Sequence, residues 1–114
     1  MGVEVEGIEV VADDEAVAAE TEELDRGRRR VVTVANKDNA ETIRLRVPVT
    51  ETIESVIEAM YAEFRTERSA DDRLTCRGDG EDVYQYGART LAQYLDEGHC
   101  PNLRWVFVGG TGGA

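Results

Sequence analysis

The stretch that decides the fold is "TIESVIEAMYAEFR", residues 52–65. Its apolar residues recur at intervals of three and four, which places them on one face of an α-helix. Thr52 can cap this helix, and Glu54 stands in the first turn, where the helix dipole favours an acidic side chain. The pattern predicts one amphipathic helix whose apolar face must be buried against another element. The residues of that face are Ile53, Val56, Ile57, Met60 and Phe64.

Upstream of the helix, two runs of sequence follow the alternation that is typical of β-strands. The first, "VVTVAN" (31–36), is rich in β-branched residues, and the second, "TIRLRVP" (42–48), alternates apolar residues with arginines. The short polar segment "KDNAE" joins them. Two alternating runs connected in this way indicate a β-hairpin with one buried face and one charged face.

Downstream of the helix, the sequence predicts two more strands and a second helical turn. "RLTC" (73–76) indicates a short strand, "RTLAQYLDEG" (89–98) a compact helical turn, and "PNLRWVF" (101–107) the last strand. The residues expected to face inward are Leu91, Tyr94, Leu103, Trp105 and Phe107. The order of elements predicts an α+β fold, in which a mixed sheet packs on one helix and the first and last strands of the domain lie in its middle.

Charge is distributed very unevenly along the chain, whose formal net charge is −11. Residues 1–25 contain ten acidic and no basic residues, whereas the rest of the chain is nearly neutral. A nucleic-acid-binding surface needs a basic face, so we expect no nucleic-acid partner. No apolar run approaches the roughly 18 residues that span a bilayer, and we expect a cytoplasmic protein without a membrane partner.

The first 30 residues form an acidic N-terminal arm that admits two interpretations. In the first, the arm is a disordered leader that ends in the linker "DRGRRR" (25–30). In the second, "VEVEGIEVV" (3–11) is a strand that pairs with an exposed sheet edge, including the edge of another copy, which would make the chain a homo-oligomer.

Residues that could carry catalysis or bind a metal are scarce. Cys76 and Cys100 are too few for a disulfide framework and lack the C-x-x-C spacing, and His99 is the only histidine. The acidic clusters at 71–72 and 79–82 are interpreted as solvated loops. We therefore expect no enzymatic activity, no cofactor and no metal site.

The order of elements and three local stretches together resemble ubiquitin. These stretches are "VTETIESVIEAM" (49–60), "DDRLTCRG" (71–78) and "GARTLAQYLDEGHCPNLRWVFVGG" (87–110). The resemblance covers residues 31–110 and places the helix entry, the turn, the last strand and a diglycine in the same register as in that family.

The resemblance implies a β-grasp domain over residues 31–108, followed by a diglycine tail with a C-terminal extension over residues 109–114. In this family an activating enzyme adenylates the terminal carboxylate and takes it onto its own cysteine, and a conjugating enzyme delivers it to an amine of a target protein. Gly110 would carry that carboxylate. Gly109 and Gly110 suit a tail that threads into a narrow enzyme cleft, because they have no side chains.

Three further expectations follow from the resemblance. The extension "TGGA" implies maturation by a peptidase that also removes the modifier from its targets, and Gly112 with Gly113 is the alternative diglycine. Tyr94 stands where a tyrosine of ubiquitin bonds a loop backbone, so we assign it a structural role. Lys37, the only lysine, is the one lysine acceptor for chain building.

Departures from ubiquitin concern the surfaces that partners would recognise. Thr75 and Arg104 occupy positions of ubiquitin's aliphatic recognition patch. Val106, Phe107 and Val108 replace the arginines that precede its diglycine, so the resemblance implies a cognate activating enzyme with an apolar groove.

These departures favour a prokaryotic relative, similar to the ubiquitin-like modifiers of bacterial ubiquitination-like operons, some of which act in defence against phage. The pairing of strands in ubiquitin would bring Cys76 and Cys100 close together, and we expect free thiols in a reducing cytosol.

The alternative function is a non-covalent β-grasp interaction module that self-assembles through its N-terminal segment. A sulfur carrier, which shares the fold, is a third hypothesis.

Overall fold

A computed structural model describes residues 7–11 and 29–110. Most of the acidic arm and the alternative diglycine, Gly112 and Gly113, lie outside the described residues. The fold is α+β, with two helices and a five-stranded mixed sheet in the order β1-β3-β2-β5-β4. The central pair, β2 and β5, is parallel, and the other neighbours are antiparallel. The elements are β1 (Glu9–Val10), β2 (Arg29–Asn36), β3 (Glu41–Pro48), α1 (Ile53–Phe64), β4 (Arg73–Cys76), a 3₁₀ turn (Tyr84–Tyr86), α2 (Leu91–Asp96) and β5 (Arg104–Val108).

The predicted hairpin is confirmed as β2 and β3, which pair from Arg29 opposite Pro48 to Asn36 opposite Glu41. Side-chain amides shape its four-residue turn, since Asn36 Oδ1 accepts from the N–H of Asp38 at 2.9 Å. Strand β2 begins two residues earlier than the predicted start of the domain, so the basic linker is shorter than the sequence suggested.

The predicted helix is confirmed as α1, and all five residues of its apolar face are buried. Thr52 caps it, because Thr52 Oγ1 accepts from the N–H of Ser55 at 3.1 Å. The helix ends at Phe64, and the next residue, Arg65, takes the left-handed conformation with φ 59°. Tyr61, which lies beside the predicted face, is buried as well and becomes important at the candidate site.

The last strand, β5, lies between β2 and β4 and carries the largest buried side chains of the sheet. Leu103, Trp105 and Phe107 are buried as predicted. Thr90 caps α2 in a reciprocal capping box with Gln93. The sheet face that packs against α1 therefore holds the core, and the alternating residues of β4 and β5 lie on the opposite face, which we call the outer face.

Residues 7–11 of the N-terminal arm belong to the folded domain, so the disordered-leader interpretation is wrong for this part of the arm. Strand β1 pairs with β3, with Glu9 opposite Arg46, and the two side chains form an ion pair at 3.3 Å. Ile8 and Val11 are buried. The predicted edge pairing is therefore present, and the edge belongs to the same chain.

Cys76 and Cys100 are neighbours, as the resemblance implied, but the expectation of free thiols is wrong because they form a disulfide. Cys76 ends β4 opposite Trp105. The turn before β5 folds back on itself, with Cys100 at φ 42° and the N–H of Leu103 donating to its carbonyl at 2.8 Å. This turn brings the two Cα atoms to 5.6 Å, a separation that a disulfide spans.

Within the described residues, neither helix is long and apolar enough to cross a membrane.

Candidate functional site

The C-terminal tail leaves the sheet at the end of β5 and is immediately held by two carboxylates. The N–H of Gly109 donates to Asp38 Oδ2 at 2.9 Å, and the N–H of Gly110 donates to Asp72 Oδ1 at 2.9 Å. Asp38 lies in the β2–β3 turn, and Asp72 directly precedes β4. Two loops that are distant in sequence thus meet at the first diglycine.

Asp72 is the more firmly held of the two carboxylates, with only 8 % of its surface exposed. Its Oδ2 accepts from the hydroxyl of Tyr61 at 2.7 Å and from the N–H of Ser69 at 2.8 Å. Burial by itself raises the pKa of Asp72, but the hydrogen bonds from Gly110, Tyr61 and Ser69 and the charge of Arg68 outweigh burial and lower the pKa below its usual value. Asp72 therefore stays ionised, and its charged carboxylate accepts the hydrogen bond from Gly110.

An aromatic cluster supports the Tyr61 hydroxyl that bonds Asp72. Tyr61 Oη and Tyr84 Oη share a hydrogen bond, and burial raises the pKa of both phenols, so both remain protonated. The guanidinium of Arg68 lies over the two rings, 5.9 Å from the centre of Tyr61 and 5.1 Å from that of Tyr84. Arg68 is itself held by an ion pair with Glu54. Helix α1 and the 3₁₀ turn thus position Asp72 jointly.

Gly110 fits its position because it has no side chain. A Cβ built on Gly110 would lie 2.5 Å from the carbonyl carbon of Asp71 and 2.6 Å from its oxygen. Backbone atoms cannot move aside as a flexible side chain can, so any other residue would displace the tail. A Cβ on Gly109 would come too close only to Asp38 Oδ2, at 2.7 Å, which is the end of a side chain that can move aside, and it would lie at ordinary contact distance, 3.7 Å, from the Phe107 ring.

Of the residues predicted for partner recognition, four lie on the outer face of β4 and β5. Thr75 on β4 is opposite Val106 on β5, and Arg104 is two residues before Val106 on the same face. Arg104 is exposed, and Val108 is 38 % exposed at the end of the strand. The structure therefore places these four residues on one face of the sheet, with Val108 directly before the diglycine and Arg104 at the other end of β5.

The predicted role of Phe107 in partner recognition is wrong for the folded domain. Phe107 is 2 % exposed, and its ring packs edge-on against Tyr61 at 5.4 Å and stacks on Phe64 at 5.7 Å. The alternation of β5 turns this side chain into the core while its neighbours Val106 and Val108 face outward. Only those two valines remain for an apolar groove of a partner.

Lys37, the predicted acceptor, lies in the β2–β3 turn, and its side chain is exposed. Its backbone N–H donates to the carbonyl of Phe107 at 2.9 Å, and it directly precedes Asp38. The one lysine of the chain is therefore close to the tail, although the sequence did not suggest this proximity.

Tyr94 is 1 % exposed, as a structural residue should be, and burial raises its pKa to about 12. Its ring packs edge-on against Trp105 at 6.1 Å, and it also contacts Tyr86 and His99. Among the described residues, no backbone carbonyl accepts a hydrogen bond from its hydroxyl. Tyr94 is therefore fixed by aromatic packing, and the loop-backbone bond implied by the resemblance is absent there.

Sequence reasoning missed the residues that hold the tail, namely Asp38, Asp72, Tyr61 and Tyr84. Asp72 belongs to a pair of acidic residues that looked like a solvated loop. The available signal was Tyr61, which follows Ile57 by four residues and precedes Phe64 by three, and so widens the buried face of the helix. A buried phenol needs a hydrogen-bond partner, but the sequence does not indicate which residue supplies it.

The hydrogen bonds of Asp72 predict an acid-sensitive contribution to stability. Because its pKa is lower in the folded state than the roughly 3.9 of an unfolded aspartate, ionised Asp72 stabilises the fold above that pH, and the effect is lost as pH falls through the folded pKa. We expect Asp72→Asn to lower the free energy of unfolding by about 2 kcal/mol at pH 7 and by much less at pH 2.

Urea denaturation of both proteins at the two pH values measures this effect. Asp71→Asn is the matched control, because Asp71 is exposed and makes none of these side-chain bonds. A deficit in Asp72→Asn that is equally large at both pH values would contradict the assignment.

No group of three histidine, cysteine or acidic side chains in the described parts of the chain could hold a metal ion. The sequence matches no protein-family model, and no curated protein matches it.

Proposed function

We propose that this chain is a ubiquitin-like protein modifier with a β-grasp domain, which is conjugated through a C-terminal glycine to an amine of a target protein. The observation that carries the proposal is the position of the diglycine. Strand β5 lies between β2 and β4, is parallel to β2 and is covered by α1, and it runs directly into Gly109 and Gly110 at the domain surface. Support also comes from the stretches of sequence that resemble ubiquitin in the same register.

In the proposed reaction, enzymes perform the chemistry and the modifier supplies a carboxylate and a recognition surface. The glycine carboxylate attacks the α-phosphate of ATP, which releases pyrophosphate and forms an acyl adenylate. A cysteine thiolate of the activating enzyme then displaces AMP, and after transfer to the conjugating enzyme a target amine displaces the thiol to leave an amide. Thr75, Arg104, Val106 and Val108 are the residues through which these enzymes would recognise the modifier.

The chain would be made as a precursor. A peptidase would cut after a diglycine, with Gly109–Gly110 as the first choice and Gly112–Gly113 as the alternative, and the same peptidase would remove the modifier from targets. We propose the cytoplasm of a bacterium as the compartment and antiviral defence as the process. The disulfide between Cys76 and Cys100 is the observation that opposes a reducing compartment.

Reconstitution tests the proposal. The full chain is mixed with ATP and the products of the genes next to its own, among which we expect an activating enzyme, a conjugating enzyme and a peptidase, and intact-mass spectrometry detects any adduct. We expect an ATP-dependent adduct that ends at Gly110 or Gly113. Replacing the glycine that is used by alanine should reduce the yield of the adduct at least about 100-fold. The added methyl group would widen the tail, which would weaken its binding in the enzyme cleft and misplace the carboxylate for attack.

Thr111→Ala is the matched control, since it alters the tail and leaves both diglycines intact. The proposal fails if no adduct forms although the activating enzyme is active, as shown by pyrophosphate–ATP exchange when it is given another protein with a carboxylate that it adenylates. Gly110→Ala needs care, because it also displaces the tail from the Asp71 backbone.

A further inference from the structure

The first diglycine has both of its backbone N–H groups occupied by the domain itself. We propose that Asp38 and Asp72 are positioning residues that latch Gly109 and Gly110 to the domain surface, so that an enzyme must break this latch before Gly110 can be used. The latch consists of Asp38, Asp72 and the N–H groups of the two glycines. The inference rests on the proposed function for its biological meaning, but the latch itself can be measured without any enzyme.

The geometry of the latch favours a persistent contact. Both hydrogen bonds measure 2.9 Å and run from a backbone N–H to a carboxylate, the charge-assisted type that is stronger than a neutral pair. The acceptors come from opposite sides of the β5 terminus, one from the β2–β3 turn and one from the loop before β4. A tail that is held on both sides must break both bonds to swing away, so the loss of either bond lowers the cost of release without removing the other contact.

Asp72 is fixed before the tail arrives, which lowers the entropy lost when the tail binds. Its Oδ2 is held by Tyr61 and Ser69, and only Oδ1 is directed to Gly110. Tyr61 in turn is held by Tyr84. This preorganised carboxylate explains why an aspartate is buried directly before β4 when the core itself has no need of a charge.

The latch also changes how the glycines are understood. A glycine is needed at 110 because the tail lies against the Asp71 backbone, and that requirement exists before any enzyme cleft is considered. Two residues beyond Val108 extend only about 7 Å, so an enzyme that used Gly110 would have to lift the tail off the domain. In the sequence, Gly113 lies three residues beyond the latch and would be reached with the latch closed.

Amide hydrogen exchange, followed by NMR on the full chain, tests the latch. We expect the amides of Gly109 and Gly110 to exchange at least about tenfold more slowly than the same amides in the double variant Asp38→Ala/Asp72→Ala. The single variant Asp38→Ala should release Gly109 and leave Gly110 protected. Asp38 is exposed, so this variant keeps the test informative if the loss of Asp72 prevents folding.

Two controls separate a latch from general stability. Asp71→Ala removes a carboxylate next to the tail that does not bond to it, and it should leave both exchange rates unchanged. The amide of Val34 in the middle of β2 reports global opening, and a latch effect must appear at the glycines without a matching change there. Equal glycine exchange rates in the wild type and in Asp38→Ala/Asp72→Ala would overturn the proposal.

The outcome for conjugation is a separate readout. With active enzymes, an adduct through Gly110 should form faster in Asp38→Ala than in the wild type, whereas one through Gly113 should form at similar rates. If the wild type and Asp38→Ala form a Gly110 adduct at the same rate, the latch does not restrict the tail and the proposal is wrong. If no variant forms an adduct, the proposed function fails, and amide exchange still decides whether the latch exists.

Discussion

Phe107→Ala is expected to lower the free energy of unfolding by about 4 kcal/mol, the loss that is typical when a buried phenylalanine is removed from a core. The Phe107 ring contacts both Tyr61 and Phe64 of helix α1, so its removal leaves a cavity between the helix and β5. Urea denaturation followed by the fluorescence of Trp105, two residues away on the same face, measures the effect.

Val106→Ala is the matched control for this prediction. Val106 is on the outer face of the same strand and only partly buried, so its truncation should reduce stability by less than about 1 kcal/mol. Binding to an activating enzyme should instead be weakened more by Val106→Ala than by Phe107→Ala, when each variant is measured under conditions in which it is fully folded. A stability loss at Phe107 no larger than that at Val106 would mean that the β5 register is different from the one described.

The contrast between these neighbours shows why the tail was partly misjudged from sequence. The resemblance to ubiquitin aligned Val106, Phe107 and Val108 with residues of a free tail. The alternation in "LRWVFV" belongs to a strand, however, and strand β5 continues to Val108. In this chain the sheet therefore extends to the residue before the diglycine, and local alternation was the better guide than the alignment.

Periodic features were predictable because each depends on residues close together in sequence. The apolar face of α1, the Thr52 cap and the β2–β3 hairpin all follow from spacing, and all are confirmed. The position of the first and last strands of the domain in the middle of a mixed sheet was also expected and is confirmed by β2 and β5. It follows from the need to bury two apolar strands beneath one helix.

The contacts of the candidate site could not be predicted in the same way. Asp38 and Gly109 are 71 residues apart, and Asp72 and Gly110 are 38 apart. Such contacts depend on where loops end in space, which composition and periodicity do not determine. An aspartate that accepts three hydrogen bonds has the same sequence signature as one in solvent.

The disulfide gives the second large effect. Cys76→Ala/Cys100→Ala should lower the free energy of unfolding by about 3 kcal/mol, because the disulfide closes a loop with a sequence separation of 24 and so restricts the unfolded chain. Denaturation with and without a reducing agent measures this. Reductant should destabilise the wild type by a similar amount and leave the double variant unchanged, and a wild type that is indifferent to reductant would contradict the prediction.

The same bond allows the proposed compartment to be tested. Both cysteines are buried, at 4 % and 0 % exposure, so thiols that are free in the cell would react only after unfolding. Cells are therefore lysed directly in denaturant with an alkylating agent, and the mass of the chain counts the blocked thiols. Two blocked thiols indicate the reducing cytoplasm in which ATP-dependent conjugation is proposed. No blocked thiols would indicate that the disulfide forms in the cell. The chain would then occupy an oxidising compartment, where an ATP-dependent activating enzyme is not expected.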